Sequence, residues 1–427
     1  MKLAFCASVL FALCAAAGAQ TTYAPPGVTD STLVTPDGSG GVYFVGRYQG
    51  LSSQSLVWGD MTSLGHFTPA ASYSTVSRTN LKQRVVNVAI TSTQGLIYAV
   101  EIVDFTSSWY LWQLNPSTGA SAVQGPFSFS PGAPTAIVAD QSGNLYVSLA
   151  GSGTTTIDKF PAAFGAPVSS SNGTTEVAIA AAGSTMATYG YITNGAYYTM
   201  YGGTPTLFDT WPAGDTALIG GAANDPAITY MFATSTWTNV VPAQPIVIAV
   251  NPAGAFVATN NTFFPPTGYV GSPTPSWHEN GGAIAAILQS NGIYRVCSPC
   301  LGPTYDWDVF EAYYSPSGGW LSNQVANALP VGTSAHCTLA AIDTLYDYYA
   351  AQNPMANVGE VYRVPAGTYP GLSTYGVQNV TGTNAPLTFS PYQLVAGGAP
   401  SNAVFMSEST NATAQPNPLT TNYICVY

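Results

Sequence analysis

Apolar positions along this chain fall into two alternating kinds of short run. One is nearly continuous and built of small aliphatic residues, as in Val85-Val86-Asn87-Val88-Ala89-Ile90, Thr135-Ala136-Ile137-Val138-Ala139 and Ala283-Ile284-Ala285-Ala286-Ile287-Leu288. The other opens at a glycine and carries a tyrosine within an alternating strand, as in Gly41-Val42-Tyr43-Phe44-Val45. A continuous run of this length reads as a strand buried on both faces, and an alternating run as one buried on a single face. Between the two lie turns such as Pro36-Asp37-Gly38 and Asp140-Gln141-Ser142-Gly143-Asn144. Their residues accept positive φ or bond their own backbone, which suits the end of a hairpin.

The tyrosine strand recurs. Clear copies are Gly95-Leu96-Ile97-Tyr98, Gly143-Asn144-Leu145-Tyr146, Gly292-Ile293-Tyr294 and Gly359-Glu360-Val361-Tyr362, with a looser one at Gly195-Ala196-Tyr197. From Tyr43 the steps to Tyr98, Tyr146 and Tyr197 are 55, 48 and 51 residues. The next step, 97 residues to Tyr294, leaves room for a degenerate copy around Pro245-Ile246-Val247-Ile248. The last, 68 residues to Tyr362, implies an insertion. A unit of about fifty residues matches a four-stranded propeller blade of roughly 40–50. The expected fold is therefore all-β, a single β-propeller of seven blades, or of eight if Ala403-Val404-Phe405-Met406 is one more strand. A β-helix would need much shorter periods, and an array of β-sandwiches need not keep one repeat phase. Aromatic segments such as Trp109-Tyr110-Leu111-Trp112-Gln113-Leu114 are expected as outer strands.

The segments Asp140-Gln141-Ser142-Gly143-Asn144-Leu145-Tyr146-Val147 and Leu114-Asn115-Pro116-Ser117-Thr118-Gly119 resemble repeats of exported bacterial propellers of the NHL and YVTN types. The resemblance covers these short strands and turns. It implies the propeller fold and, because those families include many binding and scaffold proteins, no particular activity.

Composition narrows the function classes. Charged residues make up 6% of the chain, against about 25% in an average soluble protein. The net charge is -11 with 8 Lys and Arg in all. Phosphate contacts need clustered cations, so a nucleic-acid partner is not expected. Hydrophobic residues at 46% are ample for a core. Met1-Lys2, the apolar run Leu3 to Ala17 and the small-residue sequence Ala17-Gly18-Ala19 read as a secretory signal over residues 1–19. The mature propeller domain then runs from 20 to 427, secreted or periplasmic, with no membrane span expected.

With Cys6 and Cys14 in the signal, Cys297, Cys300, Cys337 and Cys425 remain, and an even number in an oxidising compartment reads as two disulfides of open connectivity. Zinc held by these thiols with His336, or a redox role for Cys297-Ser298-Pro299-Cys300, fits export less well. No metal or cofactor is expected. His66 and His278 are isolated, and the sequons at Asn172, Asn260, Asn379 and Asn411 fit chance in a Ser- and Thr-rich chain. Recognised nucleophile elbows, zinc helices and phosphate loops are absent from the sequence.

The last third, about 297–358, breaks the repeat. Between Cys337-Thr338-Leu339-Ala340-Ala341-Ile342 and Gly359 lies Asp343 to Val358, expected as a long functional loop. A helix is the second reading, since Leu339, Ile342, Tyr346 and Tyr349 have helical spacing and Asn353-Pro354 would stop it. Candidate ligand-binding residues are Asp306, Trp307, Asp308, Asp343, Tyr346, Asp347 and Tyr348. Carboxylates beside aromatics suit an extracellular carbohydrate or protein ligand on a non-enzymatic binding or scaffold protein. The alternative is a secreted polysaccharide hydrolase or lyase working through a carboxylate pair.

Overall fold

The computed structural model describes residues 21–23, 25, 28, 30–49, 54–64, 67, 74–78, 85–103, 106–130, 132–140, 142–151, 154–172, 178–182, 186–193, 196–201, 204–210, 216–221, 231–237, 244–250, 256–259, 285–301, 307–326, 336–353, 358–367, 378–379, 390–397, 404–409 and 422–426. Within some of these strands only the backbone is described. The expected signal, His66, His278 and Asp306 lie outside the described residues.

Among the described residues the strands form eight four-stranded antiparallel sheets, which is the larger of the two expected blade numbers. Each of the first seven is a meander in chain order. Blade 1 is Asp30–Pro36, Val42–Gln49, Gln54–Met61 and Ser74–Arg78. Blade 2 is Val85–Thr93, Leu96–Val103, Ser108–Leu114 and Ser121–Ser128, and blade 3 is Ala133–Ala139, Leu145–Gly151, Thr154–Phe160 and Val168–Asn172. Blade 4 spans Ala178–Ala182 to Thr204–Thr210, and blade 5 spans Thr216–Gly221 to Phe256–Thr259. Blade 6 is Ala285–Leu288, Tyr294–Leu301, Trp307–Ser315 and Gly319–Ala326. Blade 7 is His336–Ile342, Tyr346–Asn353, Val358–Pro365 and Gln378–Asn379.

Blade 8 closes the circle. Its strands Ser390–Ala396, Val404–Ser409 and Asn422–Val426 are completed on the outside by the N-terminal strand Thr21–Tyr23, with Thr21 opposite Val426, Thr22 opposite Cys425 and Tyr23 opposite Ile424. The inner strands of successive blades touch around most of the ring, outer strands make the contact between blades 5 and 6, and blade 8 meets blade 1. The fold is a β-propeller.

Apolar side chains fill the seams between blades 8 and 1, 1 and 2, and 2 and 3, because a twisted sheet with two apolar faces must bury both. Val34, Val42, Phe44 and Val57 of blade 1 pack on Phe405, Ile424 and Val426 of blade 8, with Val28 between. Leu33, Val45 and Trp58 meet Ile90, Ala99 and Trp112 across seam 1–2, and Val100, Trp109 and Leu111 meet Ile137, Val147 and Phe160 across seam 2–3. Trp109 to Leu114, expected as an outer strand, lies in the third strand of blade 2, outward of the first two, and both its tryptophans are buried. The glycine that opens the tyrosine strand has a physical cause: Gly95, Gly143 and Gly292 adopt φ of 74°, 85° and 80°, a region costly for residues with a Cβ.

The repeat phase differs from expectation in three places. Tyr197, Ile246 and Tyr362 lie on third strands of their blades, not second ones. The second strand of blade 7 carries its tyrosine at Tyr348, 54 residues after Tyr294 on the second strand of blade 6 and one register position further along, so the expected insertion disappears. Asp343 to Val358 is accordingly neither a long loop nor a helix. Over its described residues it is a tight turn followed by the strand Tyr346–Asn353. Helical spacing of Leu339, Ile342, Tyr346 and Tyr349 arises where two alternating strands are joined by that turn.

No described helix is long and apolar enough to cross a membrane.

Candidate functional site

The candidate site lies at the seam between blades 6 and 7, where Arg295, Glu311 and Asp347 converge. It is built from the second and third strands of blade 6 and the first hairpin of blade 7. Residues directly opposite in an antiparallel pair project to the same face. Cys297 pairs with Glu311 and Arg295 with Tyr313, so these four share one face of blade 6. That face meets Asp347 and the turn of blade 7.

Arg295 is the centre. Its Nη2 lies 3.1 Å from Asp347 Oδ1 and its Nε 3.6 Å from Glu311 Oε2, and all three side chains have 0% exposure. The guanidinium also donates to backbone carbonyls of the blade 7 turn, from Nη1 to Thr344 at 3.3 Å and from Nη2 to Tyr346 at 3.3 Å and to Asp343. A planar guanidinium with five donors can hold a turn and a carboxylate together in this way. Burial opposes the Arg295 charge, but Asp347 and Glu311 outweigh it and hold the side chain above its ordinary value. Glu311 accepts from the Gly367 N–H at 3.2 Å at both of its oxygens. Burial, then the neighbouring Asp347, push Glu311 up to about 8. Burial and the Glu311 carboxylate likewise raise Tyr313.

Asp343 has a different task. Its Oδ1 accepts from the N–H groups of Leu345 at 2.7 Å and Tyr346 at 2.8 Å, and its Oδ2 from the Tyr348 hydroxyl at 2.7 Å. The same device appears in blade 3, where Asp140 accepts from Asn144 N at 2.9 Å and from the Tyr146 hydroxyl at 3.2 Å. In blade 1, Asp37 accepts from Ser39 N and Gly41 N. An aspartate just past the inner strand thus ties the first hairpin turn of these blades.

The expected ligand set therefore divides. Asp343, Asp347 and Tyr348 are buried, at 1%, 0% and 2% exposed. Tyr346 is half-buried, with the Arg363 guanidinium 4.8 Å above its ring. Trp307 and Asp308 stand at the start of the third strand of blade 6, opposite Leu301 and Cys300, and their side chains, like Asp306, lie outside the described residues. The Asp347 side chain and the backbone carbonyls of Asp343 and Tyr346 meet Arg295, a residue the sequence reading passes over, while the Tyr346 and Tyr348 side chains lie on the opposite face of blade 7. The signal of Arg295 was available: one of only 8 cations, set in the otherwise apolar run Tyr294 to Cys297.

The expected disulfide at Cys297 is not formed. Its thiol is free and buried, 3.8 Å from the Ala341 carbonyl. Cys297 and Cys300 sit on one extended strand, where three residues span about 10 Å and point to opposite faces, beyond the reach of a disulfide. Burial raises the Cys297 thiol well above the ordinary value, which leaves it protonated and inert. The side chains of Cys300, Cys337 and Cys425 lie outside the described residues. Among the described residues no group of three His, Cys, Asp or Glu could hold a metal ion.

Comparison with known proteins bears on the fold. No protein-family model matches the chain, and no curated protein matches it. Among solved structures it is similar to the Dos1 propeller, with a TM-score of 0.51 at 10% identity over 95% of this chain and 94% of that one. It is also similar to YCF48 bound to D1 peptide, with a TM-score of 0.46 at 10% identity over 96% and 94%. A structure from work on two prolyl endopeptidases gives a TM-score of 0.49 at 11% identity over 90% of this chain. The chain covers 55% of that endopeptidase's own length. At 10% identity the likeness to the Dos1 propeller speaks to the fold alone.

Proposed function

We propose that this chain is an exported, non-enzymatic binding or scaffold protein that presents one propeller face to an extracellular carbohydrate or protein ligand. One observation carries this reading: of the candidate acids, Asp343 and Asp347 are engaged in holding the blades. Asp343 ties a turn, while Asp347 and Glu311 enclose Arg295 at 0% exposure. A general acid or nucleophile must reach its substrate within hydrogen-bond distance, which a sealed seam forbids. A rigid ring with polar, nearly uncharged turns suits recognition instead. On this reading the ligand meets blade 6 at the start of its third strand, through Trp307 and Asp308, since aromatic and carboxyl groups together bind sugars and polar peptides.

The test uses the intact mature protein on an array of polysaccharides and glycans, with Trp307→Ala and Asp308→Asn beside it. The expected result is retention of a defined glycan, lost in either variant, with no release of reducing ends. Release of reducing ends from any polysaccharide, abolished in Asp308→Asn, would replace this reading with that of a hydrolase. Export is tested by sequencing the N-terminus of protein recovered outside the cytoplasm, where Gln20 is expected first.

A further inference from the structure

The seam between blades 6 and 7 encloses two carboxyl groups and one guanidinium. The groups facing Glu311 can be named from each side. Blade 6 contributes Arg295, Cys297 and Tyr313, and blade 7 contributes Asp347 and the Gly367 N–H. Asp343 turns its carboxyl toward its own turn and Tyr348. Arg363 stacks on Tyr346 and stands opposite Tyr348, on the face of blade 7 turned away from Arg295. Cys297 is held neutral by burial. Among the described residues the cluster therefore holds one positive charge against two potential negative ones.

A lone negative charge sealed from water is costlier than the uptake of one proton. One carboxyl must then be neutral. Asp347 has the closer contact with Arg295, at 3.1 Å against 3.6 Å for Glu311, and an aspartate is intrinsically the stronger acid. The Gly367 N–H and the Tyr313 hydroxyl donate to Glu311 and favour its charged form, but burial and the Asp347 carboxylate outweigh them.

We propose that Glu311 is a proton-operated latch on the seam between blades 6 and 7, closed while the carboxyl holds its proton and loosened when the proton is lost. The direction follows from linkage. In the unfolded chain Glu311 titrates near 4.5, and in the folded seam near 8. Between those values the folded state keeps a proton that the unfolded state has released. The contribution to stability is thus full below about 4.5, falls as pH rises, and is lost above about 8. At its steepest it removes up to about tenfold of the folding constant per pH unit.

The experiment is a series of denaturant unfolding curves from pH 4 to 10 for the wild type and Glu311→Gln, together with a carboxyl carbon NMR titration of wild-type protein labelled at glutamate. The Gln variant should match the wild type near pH 5 and become progressively more stable than it toward pH 8. One wild-type glutamate should titrate near 8, and Asp347→Asn should move that titration down. A Gln variant weakened equally at every pH, or the absence of any glutamate titrating above pH 6, would overturn the proposal. The wild-type titration decides even if a variant fails to fold.

Discussion

The Tyr348 hydroxyl donates to Asp343 Oδ2 at 2.7 Å across the first hairpin of blade 7, while Asp343 Oδ1 receives two backbone N–H groups of the turn between them. Tyr146 stands in the same relation to Asp140 in blade 3. The repeated tyrosine is therefore a polar tie as well as core packing. Tyr348→Phe removes one hydrogen bond to a charged acceptor and should cost about 1.5–3 kcal/mol in denaturant unfolding. Asp343→Ala orphans three donors at once and should cost more. Equal stability of Tyr348→Phe and the wild type would show that the hydroxyl contributes nothing.

Gly46 makes a sharper packing test. A Cβ there would lie 2.6 Å from Val28 Cγ1 and 2.7 Å from Val28 Cγ2, within the core shared by blades 1 and 8. Gly46→Ala should lower the thermal midpoint through overpacking of about 1–3 kcal/mol. Val28→Ala in the same chain should return part of that loss, because it removes the clashing methyls. Additive losses in the double variant would mean that the two positions do not touch.

The thiol of Cys297 should resist alkylation in the folded protein. Burial keeps it protonated, and the thiolate is the reactive form. Mass spectrometry after treatment with iodoacetamide should find Cys297 unmodified in native protein and modified after unfolding in denaturant. Rapid native labelling, or recovery of Cys297 in a disulfide without reduction, would contradict the buried free thiol.

Much of the fold was legible because the signals were local. Asp140, Gly143 and Tyr146 announce a turn and the strand after it without reference to anything distant, and so do Gly95 and Tyr98. The phase slipped where the third strand imitates the second: Val361-Tyr362 repeats the apolar-tyrosine pattern, while Tyr348, on the second strand itself, follows Asp347 and lacks the opening glycine. The site was less legible for a physical reason. Asp347 reads as a surface acid until Arg295, far away in sequence, is seen to face it across a seam. Pairing between blades depends on which face each strand turns inward, and a single phase error reverses that assignment.

Ring closure rests on three residue pairs between Thr21–Tyr23 and Asn422–Val426. The central claim is that these distant ends lie side by side in one sheet, and Thr22 opposite Cys425 tests it directly. Opposite residues of an antiparallel pair have Cα atoms about 4.5–5.5 Å apart, within the range a disulfide spans. Oxidation of Thr22→Cys followed by proteolysis and mass spectrometry should yield a peptide joining residue 22 to Cys425, reversed by reductant. Recovery of both thiols unlinked under conditions that oxidise a control dithiol would contradict a propeller closed by its first and last strands.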